Sequence, residues 1–302
     1  MTSDINGTVV AIQGNPVVAE VLTSSDDGYV LTWDNTDGYW EAKKSVGLQS
    51  QTFTSDGYWT CPDNVFNVWL TGFGGGGGGS AQKLSGPTYD EGSGAGGGGS
   101  IQSTVVVPVV PGITYEVIIG DGGVGGSGTG TAGPPGSGPS GADGTSTTFG
   151  LLATFNGAGG GDWAENYTTG RGGGNVPSTY SSNFMAAGGP TAFSSSPPGC
   201  GGDSTNVNNG NGSNGIASIN GFSGGSVGEY EYPYNGGGGG GGGPNGAGAN
   251  GGDSNASGVG GNGYNADANS GAGGGGAGSG NSPGGIGGDG GSGQLTISWI
   301  GV

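Results

Sequence analysis

Apolar positions fall into a few short runs at the start and end of the chain, and the long middle has almost none. Near the start, TVVAIQGNPVVAEV and DDGYVLTWDNTDGYWEAKKS place β-formers between turn signals at Gly14-Asn15-Pro16, Asp27-Gly28 and Asp37-Gly38. They predict two or three short strands with too little apolar area to fold alone, so this stretch should need copies of itself or a partner. From Gln51 the pattern sharpens. FTSDGYWTCP sets Asp56-Gly57 between two strand-like runs, which predicts a hairpin. In NVFNVWLTGFG, Val65, Asn67 and Trp69 alternate with Phe66, Val68 and Leu70. Both faces are substantially apolar, and such a strand is expected to be buried on both sides. IQSTVVVPVVPGITYEVIIGDGG predicts two strands about Val110-Pro111-Gly112, and TSTTFGLLATFNGAGGG a shorter hairpin about Gly150. The chain closes with GQLTISWIGV, where Leu295, Ile297 and Trp299 alternate with Thr296, Ser298 and Ile300. If this last strand pairs with the early ones, the two ends make a small β-sandwich and the middle projects from it.

The middle is dominated by glycine, which makes up 85 of the 302 residues. Such a composition ordinarily signals low complexity or disorder. Here, however, the glycines gather in runs: Gly74–Gly79, Gly94–Gly99, Gly157–Gly161, Gly170–Gly174, Gly236–Gly243, Gly271–Gly276 and Gly284–Gly293. A run of this kind buries no side chains, but it can adopt polyproline II, whose backbone polar groups point outward to neighbours. Only glycine lets such backbones approach closely. One run alone loses against the entropy of ordering it, roughly 1–2 kcal/mol per residue; several stacked on a β-base can hold. The expected fold is all-β, without significant α-helix: a sandwich base from 51–156 and 294–302 and a glycine-rich insert, 157–293, of stacked polyproline II helices. Residues 1–47 form a separate module ahead of this 48–302 unit. Collagen is ruled out because Gly133, Gly136, Gly138 and Gly141 slip register, and a calcium β-roll because its aspartates lack a fixed phase.

Charge and chemistry narrow the classes. The net charge is −18, with Lys43, Lys44, Lys83 and Arg171 the only basic residues. No basic patch exists to neutralise phosphates, so nucleic acid is not an expected partner. Histidine is absent, and Cys61 and Cys200 are far apart without metal-ligand spacing. No nucleophile–base arrangement is visible and nothing marks two carboxylates as partners, so no enzyme, metal site or cofactor is expected. No apolar leader or membrane-length run appears, which predicts synthesis in a cytoplasm without a signal peptide.

FTSDGYWTCPDNVFNVWLTGFGGGGGGS, followed by VVVPVVPGITYEVIIGDGG and TSTTFG, resembles the glycine-rich domain of bacteriophage tail-fibre and related virion proteins. Trp59-Thr60-Cys61-Pro62, the passage from Val65 into Gly79, and Pro111-Gly112-Ile113-Thr114-Tyr115 carry the likeness. It covers about 51–161 and the closing strand, and the long insert departs from it. IQGNPV and DGYVLTWDNTDGYW resemble a short module of phage fibre proteins that sits in trimeric stalks. The resemblance implies a homotrimeric fibre or receptor-binding protein on the virion surface, joined to other fibre or capsid proteins through 1–47. Its loops would bind a bacterial surface glycan or outer-membrane protein. The alternative is a decoration or stalk protein with no receptor. Clustered aromatics interrupting the glycines are the candidate contact residues: Trp163 and Tyr167, Tyr180 and Phe184, Tyr230, Tyr232 and Tyr234, and Tyr264. Aromatic rings among Asn, Ser and Thr give contact area at low entropic cost, although the same rings would also serve to cap the glycine core. Pro233 and the acidic spacers single out Tyr230–Tyr234 as an exposed tip.

Overall fold

The computed structural model describes residues 2–3, 9–12, 15–16, 29–34, 36, 39–44, 47–81, 96–127, 140–162, 179–180, 214–215, 217, 222–229, 234, 236–282 and 285–301. Among them there is no helix; every regular element is a strand. The first strands are β1 (Thr2–Ser3), β2 (Val9–Ile12) and β3 (Asn15–Pro16), which form one antiparallel sheet. Next come β4 (Tyr29–Asp34) and β5 (Tyr39–Lys44), a two-stranded ribbon that sets Trp33 opposite Trp40.

The base is a sandwich of two sheets. The first has the order β6-β16-β8-β9, from β6 (Gly47–Phe53), β8 (Asn67–Phe73), β9 (Ser103–Pro108) and the closing β16 (Gln294–Gly301). The second runs β13-β12-β11-β10-β7, from β7 (Gly57–Thr60), β10 (Thr114–Ile118), β11 (Thr147–Phe149), β12 (Ala153–Phe155) and β13 (Thr179–Tyr180). As the alternation predicts, β16 pairs with both β6 and β8 and turns Leu295 and Ile297 into the core. They meet Val68, Leu70, Val117, Phe149 and Phe155, all fully buried. At one end Trp59 lies 5.5 Å from Trp299 and 5.9 Å from Phe149, ring centre to ring centre.

Two expectations change. Asp56-Gly57 does not close a hairpin: β6 and β7 lie in different sheets, so the chain crosses the sandwich there. The Asp56 carboxylate accepts the Ile119 N–H at 2.7 Å, fixing that crossing instead of a two-residue turn. Nor is β8 buried on both faces. Val68 and Leu70 are buried, whereas Asn67 and Trp69 on the opposite side are exposed, because no layer of the described structure covers the outside of this sheet. By contrast, the short hairpin about Gly150 is present as β11–β12, with Gly150 at φ 48°.

Above the base the strands run straight into glycine. Gly74 follows β8, and the six residues from Gly74 to Gly79 are all buried. Their bonding has a period of three. Gly75 and Gly78 donate to Thr145 and Ala142, Gly76 and Gly79 donate to Gly291 and Gly288, and Gly77 donates to Gly98, all at 2.8–2.9 Å. In return the carbonyls of Gly75 and Gly78 accept from Ala158 and Gly161, those of Gly76 and Gly79 from Gly123 and Gly126, and that of Gly77 from Gly274. Three residues per turn with no bond inside the run is polyproline II. This run is bonded to neighbours on six sides, three accepting from it and three donating to it. A side chain has no room here: a Cβ on Gly75, Gly77 or Gly79 would land on the carbonyl of Asp121, Gly159 or Gly275. The run 271–279 repeats the arrangement, donating to Gly241 and Gly238, to Gly77 and Ser80, and to Tyr264 and Gly261.

Peripheral helices need glycine only on the sides that touch others. Gly141 and Gly144, Gly157 and Gly160, and Gly225 and Gly228 are the close-approach positions of such runs, each pair three apart. Beyond residue 222 the lattice repeats an out-and-back unit. Runs 222–229, 246–253 and 271–279 lead away from the base, and 236–243, 260–266 and 285–293 return. Side chains register the repeat at 24 residues: Asn250 accepts from the N–H of Ser226, Asp253 from Glu229, Ile286 donates to Asn262 and Asp289 donates to Asn265.

Candidate functional site

The directions of the runs gather the chain's connections at one place. Run 74–81 leads outward from β8 and 96–100 returns into β9; 119–127 leads outward from β10 and 140–146 returns into β11. Run 156–162 leads outward from β12. Residues 81, 127, 140, 162, 229 and 236 therefore stand toward the end of the lattice farthest from the base, whereas Gly97 and Gly215 meet Gly274 and Gly225 partway along it. The connections 82–95, 128–139 and 230–235 leave from and return to runs on this distal side, whereas between 162 and 214 the chain comes back to the base at β13, which pairs with β12. On the near side the joins are short, at Pro244-Asn245 and at Asp267–Ser270, where Asn245 reaches Gln294 at 3.3 Å.

This polarity follows from the sequence. Strands fix the near end because the base must be continuous there. Thr147 illustrates the junction: its buried hydroxyl donates to the Phe73 carbonyl at 2.8 Å and accepts the Gly120 N–H at 2.9 Å. Ser100 does the same work on the other side, donating to the Gly271 carbonyl at 3.1 Å. The distal rim is acidic among its described residues, with Asp162, Glu229 and Asp253 exposed. At this rim β14 (Asn255–Val259) and β15 (Gly280–Ser282) form a short parallel pair.

The candidate aromatics are placed unevenly. Tyr234 is half-buried just before the Gly236 run, at the distal rim. Tyr264 is exposed on the flank of the lattice; its N–H donates to Asn250 and its carbonyl accepts from Gly275, both at 3.0 Å. The backbone of Tyr180 belongs to the base, where β13 pairs it with Ala153 at a sheet edge. Trp163, Tyr167, Phe184, Tyr230 and Tyr232 lie outside the described residues, as do Lys83, Arg171 and Cys200. The structure therefore brings Tyr234 to the rim and sets Tyr264 and Tyr180 apart from it.

The flanks carry a second pattern that the run-by-run reading missed. Exposed Asp and Asn side chains accept N–H groups of the outermost helices: Asp289 from Gly125 at 2.8 Å, Asp143 from Gly160 at 2.8 Å, Asn214 from Val227 at 2.8 Å. These acceptors close the lattice sideways, as do Asn250, Asp253, Asn262 and Asn265, whose 24-residue spacing from their donors was the available signal. Among the described residues no cluster of three or more carboxylate, thiol or imidazole groups is placed to hold a metal, and no helix is long and apolar enough to cross a membrane. Burial, with the Asp63 carboxylate adding to it, pushes the Cys61 thiol up, and the thiol donates to the Val65 carbonyl at 3.2 Å.

A base of strands passing directly into mutually bonded glycine helices is matched by comparison with known families. The glycine-rich domain family matches over residues 50–300. The chain belongs to this family. No curated protein matches it. The match spans base and lattice together, so the glycine-rich domain comprises both the strands and the runs they launch, from β6 to β16.

Proposed function

We propose that this glycine-rich domain is a display scaffold of a bacteriophage fibre or receptor-binding protein. The base and the 1–47 module join a homotrimeric virion assembly, and the distal connections contact a glycan or outer-membrane protein of the bacterial surface. The observation that carries the reading is the one-sided placement of the connections. A lattice of backbone holds its helices rigidly, and the connections 82–95, 128–139 and 230–235 leave and rejoin it on the side away from the base. Rigid scaffolds presenting loops are a recurring design for recognition. The aromatic-rich sequence of 230–235, between the rim residues Glu229 and Gly236, suits contact with sugars or with apolar protein surface.

The test is adsorption of the full chain to bacterial cells, followed by flow cytometry. Saturable binding that falls at least tenfold when Tyr230, Tyr232 and Tyr234 are all changed to alanine supports the reading. Saturable binding unaffected by that change moves the contact elsewhere on the rim. No adsorption to any strain that a phage carrying this protein infects favours the decoration or stalk role, and release of sugars from host polysaccharide overturns the reading in favour of an enzyme.

A further inference from the structure

The outer face of the β6-β16-β8-β9 sheet is apolar at one end and lacks charge throughout. None of residues 47–53, 67–73, 103–108 and 294–301 is charged, in a chain of net charge −18. Cross-strand pairing puts Leu48 beside Ile300, and Ser298 between Ser50 and Trp69, with Val106 next to Trp69. Leu48 is 72% exposed, Ile300 51%, Val106 40% and Trp69 38%. Gly47, Leu48, Trp69, Ser298 and Ile300 line an open groove of about 560 Å³. One row further along, the hydroxyls satisfy each other, Thr52 with Thr296 and Thr71 with Thr104, each at 2.9 Å. The face thus asks a partner for apolar contact and little else.

We propose that this sheet face is where copies of the chain associate, the groove at Trp69 receiving an apolar side chain of the next copy. Three observations select a second copy. The pattern of β8 is that of a strand covered on both sides, yet the described residues of one chain cover only one of them. Like charges disfavour self-association across surfaces that carry opposed carboxylates, and this face offers none, whereas a basic partner would find nothing here to pair with. The chain also enters the base at Gly47, on the rim of the groove, three residues after the β4–β5 ribbon ends at Lys44. A two-stranded ribbon is marginally stable by itself. Four strands about 4.8 Å apart and about seven residues long offer roughly 400 Å² of sheet, near half of the about 800 Å² per partner of a standard interface. Association is therefore weak through the sheet alone and needs the adjoining ribbon to complete it. This assigns a surface to the self-association included above and does not depend on what the distal connections bind.

The experiment is light scattering of the full chain over a wide concentration range, for the wild type and for Trp69→Glu with Ile300→Glu. The wild type should show a mass of two or more copies, each 28.5 kDa, and the double variant should require at least tenfold higher concentration to reach it. Hydroxyl-radical footprinting of the unmutated chain gives a second readout: oxidation of Leu48, Trp69 and Ile300 should fall as concentration rises. A wild type that remains monomeric throughout overturns the proposal, as does an oligomer in which neither the variant nor the footprint responds. Protection of Trp69 from oxidation in a monomer by added bacterial polysaccharide would overturn it too, by giving the groove a sugar as occupant. Adsorption to cells at the distal end is read separately, so its failure leaves this outcome untouched.

Discussion

The sandwich and the lattice are built on the same strands, end to end, and are held by opposite parts of the polypeptide. In β8, Val68 and Leu70 fill the core with side chains; a few residues on, Gly74 to Gly79 are just as buried with no side chain beyond hydrogen. The sandwich is held by apolar area, which is non-directional and tolerates adjustment. The lattice is held by saturation of directional backbone groups, each of which costs about 1–3 kcal/mol if buried without a partner. Burial alone therefore says nothing about what holds a region together. One run cannot order by itself, so the base supplies the register: six of the runs begin or end on its strands, and those runs align the rest.

The contrast is broken most sharply by the same small change made in each region. Adding one carbon to the lattice, Gly77→Ala, sets a Cβ on the Gly159 carbonyl with Gly160 N–H behind it. No rotamer relieves that clash, and moving the neighbouring helix strains its own bonds to others. A loss of about 3 kcal/mol or more is expected, the upper range of overpacking, with faster amide exchange in 74–80, 96–100 and 141–145. Unchanged exchange would show that the lattice yields to a methyl group, and the rigid-scaffold account would go with it. Removing one carbon from the sandwich, Ile297→Val, should cost only about 1 kcal/mol in denaturant unfolding and leave lattice exchange alone until the whole chain unfolds.

A third change sharpens the boundary of the lattice. Asp289→Ala removes the acceptor that holds the Gly125 N–H on an outer helix. The N–H then turns to water, so the expected cost is about 1 kcal/mol or less, read as faster exchange at Gly125 while Gly123 stays protected. The acidic composition thus has a structural share: part of it finishes the edges of a backbone lattice, where further growth would otherwise start.

Which features the sequence revealed follows the same division. The base strands were visible because apolar alternation reports one face at a time; Leu295, Ile297 and Trp299 marked the closing strand as part of the base, but which strands it joins, β6 and β8, is set by the register of the sheet. The error at Asp56-Gly57 has a physical reason, since a turn signal does not say whether the next strand joins the same sheet or the opposite one. Glycine runs announced the two central helices, 74–79 unbroken and 271–279 with only Ala272, Ala277 and Ser279 among its glycines. The outer helices hid, because Gly141 and Gly144 are separated by Ala142 and Asp143, residues that face away from neighbours and dilute the signal. Their period of three, and the 24-residue spacing of Asn262 to Ile286 or Asn265 to Asp289, is legible only once helices are known to stack. For the candidate site, composition pointed to aromatics between glycines but not to which of them share an end. Tyr180 and Tyr264 resemble Tyr234 in sequence context, and only the direction of each run separates them.

The smallest expected effect tests the contrast with protons. The buried positions of the glycine lattice are glycine, alanine and serine in the main, with no titratable side chain among them, whereas the sandwich buries Cys61. Burial and, after it, the Asp63 carboxylate raise the Cys61 thiol above its ordinary value, which is roughly 8.5 in an unfolded chain. A raised folded value means that the unfolded chain loses its proton first as pH climbs. Stability is therefore full below about pH 8.5 and declines above it, until the folded thiol also ionises. Denaturant midpoints measured from pH 7 to 9.5 should fall slightly for the wild type and for Cys200→Ala, and stay level for Cys61→Ala. A slope that persists in Cys61→Ala would place the titrating group elsewhere, and a slope that disappears in Cys200→Ala would move it to a residue outside the sandwich core. With the slope assigned to Cys61, alkaline pH loosens the side-chain core first, and the lattice gives way only because its register depends on that core.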